Sequence, residues 1–210
     1  KTGDGSTRSW IAAAAHSDGA FGSLWRTDAT LLNLSGAGVT VELRFRGGAA
    51  ATSMVTLSNG EQRLIEDVVA ELGATGGGSI ELFADRPVLA GSRTYNSSEE
   101  GSFGQFIPME ADEDAIEFAD PVALMHLSGS ESDDTGFRTN IGLVNRSPHS
   151  AEFWLDVYGA DGVFLGTVRE ILRPLEYVQI NRIFQRIGAG TVADGFVIIG
   201  SSGRVGDTFH

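Results

Sequence analysis

The side chains best suited to proton transfer or metal binding are His16, His126, His149 and His210, and their spacing favours neither role. No pair stands in an HExxH or HxH arrangement, the spacings that aim two ring nitrogens at one zinc ion. His16 and His126 fall near the ends of equivalent predicted strands, at unmatched positions; His149 lies in a predicted turn and His210 is the last residue. The chain has no cysteine, which excludes a thiol nucleophile, disulfides and zinc–thiolate sites. No GxSxG sequence offers a serine on a strained elbow. The glycine run Gly73-Ala74-Thr75-Gly76-Gly77-Gly78 lacks the GK[ST] ending of a phosphate loop and reads as a turn before a strand. A serine, a histidine and an acid scattered along the chain remain the one route to hydrolysis. The expectation is therefore a protein that is not an enzyme.

Carboxylates are abundant but cluster in loops, whereas glycoside hydrolysis needs two acids facing each other across a cleft. Asp112-Glu113-Asp114 and Asp133-Asp134 are candidates for calcium through oxygen ligands; neither has the spaced loop of an EF-hand, and a solvated acidic loop is the competing reading. No cofactor is expected. Arg26-Thr27 and Arg138-Thr139 occupy equivalent places, each after an aromatic residue and before Asp28 or Asn140. Such an arginine either pairs with a carboxylate or carbonyls at a sheet end or recognises an anionic group on a ligand. Trp154, Asp156 and Tyr158 alternate with Phe153, Leu155 and Val157. They share the outer face of a strand, as an aromatic strip for a glycan or partner or as a face covered by protein. The candidate ligand-binding residues are thus Trp154, Tyr158, Arg26 and Arg138.

The elements that carry these residues come in two sets. Sliding the chain by 112 positions aligns Trp25–Gly47 with Phe137–Gly159 without a gap and gives seven identities, where chance gives about one or two. After an insertion of three residues, Leu57, Glu61, Ile65 and Gly73 match Leu172, Glu176, Ile180 and Gly188, and Gly78 matches Gly195. Val39, Val41, Leu43 and Phe45 alternate with polar residues at the two-residue period of a half-buried strand. Further strands are expected at 9–15, 25–34, 51–57, 61–65, 79–84 and 87–95, then at 121–127, 137–145, 163–172, 175–180, 195–200 and 203–206. Ser35–Gly38, Ser58–Gly60 and Ala160–Gly162 are turns, and Asn33, Asn96 and Asn145, each followed two residues later by serine, are read as turn chemistry. One short helix per copy is predicted, over 66–73 and 181–188, with Asn181 as the N-cap of the second.

About seven short strands per copy predict an all-β protein of two tandem immunoglobulin-like sandwiches, at 1–108 and 121–210, joined by an acidic linker at 109–120. A glycine count of 28 in 210 residues suits many tight turns. The net charge of −13 argues against nucleic acid and anionic membranes, and no apolar run reaches the length of a membrane span. The chain begins without a signal-peptide pattern, as a mature or trimmed protein would.

The blocks Trp25–Asp28, Ser92–Asn96, Gly104–Pro108 and Phe137–Asn145 resemble a tandem β-sandwich repeat of large exported proteins of environmental bacteria. The resemblance covers most of the chain. It implies export and a β-sandwich, and brings no activity and no catalytic residues. Residues 201–210 offer no counterpart of Tyr95-Asn96 or Gly104–Pro108, which leaves open whether the second copy closes its sheet unaided. The function expected is a non-catalytic exported or cell-surface module, a spacer or adhesion domain, with a protein or glycan partner. The alternative is a carbohydrate-binding accessory module of a secreted enzyme.

Overall fold

A computed structural model describes residues 6–19, 22–98, 101–115, 120–132 and 136–204. The chain is all-β and divides into two compact units, Lys1–Asp114 and Ala115–His210. The first contains β1 (Thr7–Asp18), β2 (Leu24–Leu32), β3 (Val39–Arg46), β4 (Ala51–Leu57), β5 (Gln62–Ile65), α1 (Val68–Glu71), β6 (Gly76–Ala84), β7 (Leu89–Ser98) and β8 (Gly101–Ala111). The second contains β9 (Val122–Gly129), β10 (Ile141–Val144), β11 (Ala151–Tyr158), β12 (Phe164–Leu172), β13 (Tyr177–Ile180), α2 (Ile183–Arg186) and β14 (Val192–Arg204). Among the described residues no helix is long and apolar enough to cross a membrane.

In the first unit all strands join one antiparallel sheet in the order β4-β3-β6-β1-β8-β7-β2-β5, with β1 also pairing β2. The sheet folds over its own apolar face. Val41, Leu43 and Phe45 of β3 and Ile80 and Leu82 of β6 meet Ala29 and Leu31 of β2 in one core, with Val68 and Val69 of α1. Alternation alone sets this arrangement, because every second residue of β3 is buried. The second unit repeats the scheme: Phe153, Leu155 and Val157 of β11 and Val197 and Ile199 of β14 pack with Ile141 and Leu143 of β10 and with Phe184 of α2.

The duplication reaches down to single polar atoms. Asn33 Nδ2 donates to the carbonyls of Ala37, Leu57 and Ser58 at 2.7, 3.1 and 3.1 Å. Asn145 Nδ2 does the same to His149, Leu172 and Arg173 at 2.7, 3.2 and 2.9 Å. Both Oδ1 atoms accept the amide of the serine two residues on. The backbones of β1 and β9 also bulge alike. Ile11 lies opposite Ile80 and Ala14 opposite Gly78, while Leu124 lies opposite Val197 and Leu127 opposite Gly195. Two residues therefore face one in each copy, Ala12-Ala13 and Met125-His126.

Gly78 and Gly195 sit beside these bulges. A Cβ on either would stand 2.7 Å from a backbone carbonyl oxygen, that of Arg46 or of Tyr158. Backbone cannot yield as a side chain can, so Gly78→Ala or Gly195→Ala is expected to cost about 1–3 kcal/mol through overpacking. Chemical denaturation followed unit by unit measures this, and a neutral alanine at either site contradicts it.

Several expectations need correction. Met109, Glu110 and Ala111 are not linker: they end β8 and pair with Ile11, Trp10 and Ser9. β8 itself went unpredicted because its first six residues are all exposed and burial alternates only over the last five, Ile107–Ala111. Asn96-Ser97-Ser98 lies within β7, not in a turn. The strand expected at 137–145 is confined to Ile141–Val144, and those expected at 195–200 and 203–206 are one strand through Arg204. Asn181 does not cap α2. Its Oδ1 accepts a hydrogen bond from Gln179 Nε2, and the residue preceding the helix is Arg182 in the left-handed region. Asp67 holds the same conformation before α1.

Candidate functional site

The outward face of the second unit's four-stranded sheet, in the order β12-β11-β14-β9, gathers the aromatic residues expected on β11. Trp154, Asp156 and Tyr158 are half-buried there, alternating with the buried Phe153, Leu155 and Val157. Trp154 lies opposite Gly200, and its indole fills the space that a side chain at 200 would need. Tyr158 stacks on Phe196 at 4.8 Å between centroids and 6° between planes. It also meets the exposed Phe164 edge-on at 5.5 Å. Between the two aromatic groups, Asp156 accepts a hydrogen bond from Thr167 at 2.5 Å. At the rim Arg169 pairs with Glu152 at 3.1 Å. Such a surface offers flat apolar rings with carboxylate and guanidinium groups beside them.

The equivalent face of the first unit has opposite chemistry. Glu42, Arg44 and Arg46 stand on β3 at the positions matched by Trp154, Asp156 and Tyr158. Glu81 on β6, matched by Ile198, is 1% exposed and is held by Arg8 at 2.6 Å and Arg46 at 2.5 Å. Arg44 lies 4.3 Å over the Phe83 ring and Arg8 4.8 Å over Trp10. The side-chain hydrogen bond from Arg44 holds the Glu42 carboxyl below its usual range. Charge on this face is thus satisfied within the protein.

Arg26 leads to a cluster that sequence reasoning missed. Its Nε lies 3.1 Å from Asp67 Oδ2, and His16 Nδ1 reaches the same oxygen at 2.8 Å. Asp28 Oδ1 accepts the Asp67 amide at 2.9 Å and the Tyr95 hydroxyl at 3.3 Å. Burial, and then the Asp28 carboxylate, push the Tyr95 phenol above its ordinary range. The arrangement fixes the left-handed residue that admits the chain to α1. His16 and two acids do meet here, but Asp67 is shared with Arg26, as a clamp requires. Only an Arg26–carboxylate pair was legible beforehand, because His16 and Asp67 are 51 residues apart.

The clamp is not duplicated. Asn140 Oδ1 accepts the Arg182 amide at 3.0 Å, just as Asp28 accepts that of Asp67. Arg182, however, stands where Asp67 stands and reverses the charge. Arg138 is exposed on the segment before β10, and the position that matches Asp67 holds Arg182.

A shallow depression of about 400 Å³ opens on the β5-β2-β7-β8 face of the first unit, with Leu64, Leu89 and Phe106 as apolar walls and Asp28 and Arg93 at its edge. Of the acidic pairs considered for calcium, Asp112 accepts from Trp10 Nε1 at 2.7 Å and Asp114 from the Ala111 amide at 3.1 Å. Asp133 and Asp134 lie outside the described residues, as does His210. Among the described residues no three potential ligands group around a metal position.

No protein-family model matches the chain, and no curated protein matches it. Among solved structures it is similar to one titled as the crystal structure of Thermotoga maritima 1070, with 10% identity and a TM-score of 0.43. The likeness covers 52% of this chain and 97% of the other.

Proposed function

We propose that the chain is a non-catalytic interaction module whose two copies of one scaffold display different outward faces. The observation that carries this reading is where the copies agree and where they differ. Buried positions, the Asn33/Asn145 pins and the bulges are kept. On the outward face, Glu42, Arg44, Arg46 and Glu81 give way to Trp154, Asp156, Tyr158 and Ile198. The first set is common to both copies of the scaffold; the second differs although both copies fold around equivalent cores. Export to the cell surface or the medium is part of the proposal and rests on the resemblance carried by Trp25–Asp28 and Phe137–Asn145.

The aromatic strip favours a glycan as the partner of the second copy. Sugar rings stack their C–H faces on flat aromatic groups, and Asp156 and Arg169 supply polar contacts at the edge. A glycan array probed with the whole chain is expected to give reproducible binding that Trp154→Ala weakens by roughly tenfold or more, while the circular dichroism spectrum stays that of the parent. Binding unaffected by Trp154→Ala excludes the strip as the site. An array without binders leaves a protein partner as the reading of that face.

A further inference from the structure

One depression of the first unit joins an apolar cup to two opposite charges that do not close on each other. It lies on the outward face of β5-β2-β7-β8 and has a volume of about 400 Å³, a size at which proteins hold small organic molecules. The strand register builds it. Thr30 and Gly91 face each other at the centre, with Leu64 opposite Thr30 on the other side. Leu32 stands opposite Leu89 at one end, and Asp28 opposite Arg93 at the other. Gly91 keeps the floor low, for the Phe106 ring leans over it, 2.7 Å from where a Cβ would stand. Leu64, Leu89 and Phe106 form the walls and are 54%, 56% and 70% exposed. Three large apolar side chains around one hollow gain by covering their surface with an apolar ligand.

The polar end departs from the other charges of this unit. Opposite charges that face each other across two strands ordinarily pair. Here each is tied elsewhere. Asp28 Oδ1 accepts the Asp67 amide and the Tyr95 hydroxyl. Arg93 Nη2 donates to Ser102 Oγ at 2.8 Å, and the guanidinium lies 4.8 Å over the Tyr95 ring. Arg8, Arg26, Arg44, Arg46 and Arg63 each hold a carboxylate. Among the described residues Arg93 holds none. Asp28 Oδ2 is thus left as an acceptor, and Arg93 Nε and Nη1 as donors. From Leu89 past Gly91 to Arg93, the depression passes from apolar to charged.

We infer that this depression binds an apolar α-amino acid as its zwitterion, with the side chain in the cup, the ammonium at Asp28 and the carboxylate at Arg93. Charge complementarity selects that class. An aliphatic acid alone brings its charge against Asp28, and an alkylamine alone leaves Arg93 unanswered. A dipolar head group answers both, and each contact is a hydrogen bond between ionised partners. The inference does not rest on the aromatic strip of the second unit and stands if that strip binds nothing.

The test titrates the whole chain with L-leucine and L-phenylalanine and follows its amide resonances. Both are expected to shift the signals of 28–32, 62–64 and 89–93 along a saturating curve. Glycine, which lacks an apolar body, is expected to shift none of them. L-Leucinamide, without the carboxylate, and isocaproate, without the ammonium, are each expected to bind roughly tenfold or more weakly than leucine. Arg93→Met is expected to bring leucine down to the level of leucinamide. Asp28→Asn, which keeps the Oδ1 acceptor, is expected to bring it down to that of isocaproate. The analogues act on the unaltered chain and keep the test decisive if either variant folds poorly. No shift at these residues with about 50 mM amino acid, where even a millimolar site is mostly filled, overturns the inference. So does leucinamide or isocaproate binding as tightly as leucine, which makes a peptide N-terminus or an acid the occupant. Signals here that move with protein concentration alone also overturn it, for a second copy then fills the cup.

Discussion

Asn33→Ala is expected to destabilise the first unit by about 3–5 kcal/mol, and Asn145→Ala the second by a similar amount, the largest effects of any substitution considered. The reason lies in what each side chain leaves behind. Asn33 is fully buried, and its amide nitrogen serves three carbonyls from two separate turns. Its oxygen serves the amide and hydroxyl of Ser35. Alanine removes every one of these partners at once, and a buried group left unpaired costs about 1–3 kcal/mol. Nearby water recovers part of this, since Ala37, Ser58 and Ser35 border the surface. Asn33→Asp discriminates between packing and hydrogen bonding. It keeps the shape and the acceptor but faces three carbonyl oxygens with no donor, so it is expected to be no better than alanine. Denaturation with amide exchange read separately for each unit gives the values, because a two-unit chain does not guarantee a single transition. A loss below about 1 kcal/mol for Asn33→Ala means that the turns hold without the pin, and the account of the duplicated scaffold fails.

These pins show what kind of information the sequence carries. The Asn33/Asn145 match, the alternation of Val39–Phe45 and the offsets of 112 and then 115 residues are local patterns, and the strands and their pairing in two copies follow from them. β8 escapes because its first six residues are all exposed, it carries Pro108, and its alternation is confined to Ile107–Ala111; its partners, β7 and β1, define the rest of the strand. Asn181 misled because a good capping residue caps only if the chain enters the helix through it; here the left-handed Arg182 intervenes. The candidate sites divide in the same way. Trp154 and Tyr158 share a face by simple alternation and were legible. The His16–Asp67–Arg26 clamp joins three elements and was not, since no periodicity links β1, β2 and the entry to α1. Arg138 was carried over from Arg26 by the duplication, which preserves the arginine but not Asp67.

The outward faces yield the second large effect. Glu81→Ala is expected to cost about 3–4 kcal/mol, within the range of about 3–5 kcal/mol for breaking a buried ion pair by removing one partner. Glu81 has almost no exposure of its own, and both its oxygens are engaged, one by Arg8 and one by Arg46. With the carboxylate gone, Arg8 keeps Asp112 at 3.4 Å, while Arg46 loses the only anion among the described residues that its hydrogen bonds reach. Both arginines are 22% exposed, which lets water temper the loss and sets the estimate at the lower part of that range. The second unit indicates how the same position tolerates an apolar residue: Ile198 stands where Glu81 stands, and Tyr158 where Arg46 stands. Glu81→Ile alone is therefore expected to be nearly as costly as alanine, since it too strands Arg46. Glu81→Ile combined with Arg46→Tyr is expected to recover more than about 1 kcal/mol relative to the sum of the single changes. A double-mutant cycle by urea denaturation measures the coupling. Strict additivity sinks the argument, for it means that Glu81 and Arg46 do not act as one unit and that the two copies diverged on this face one residue at a time.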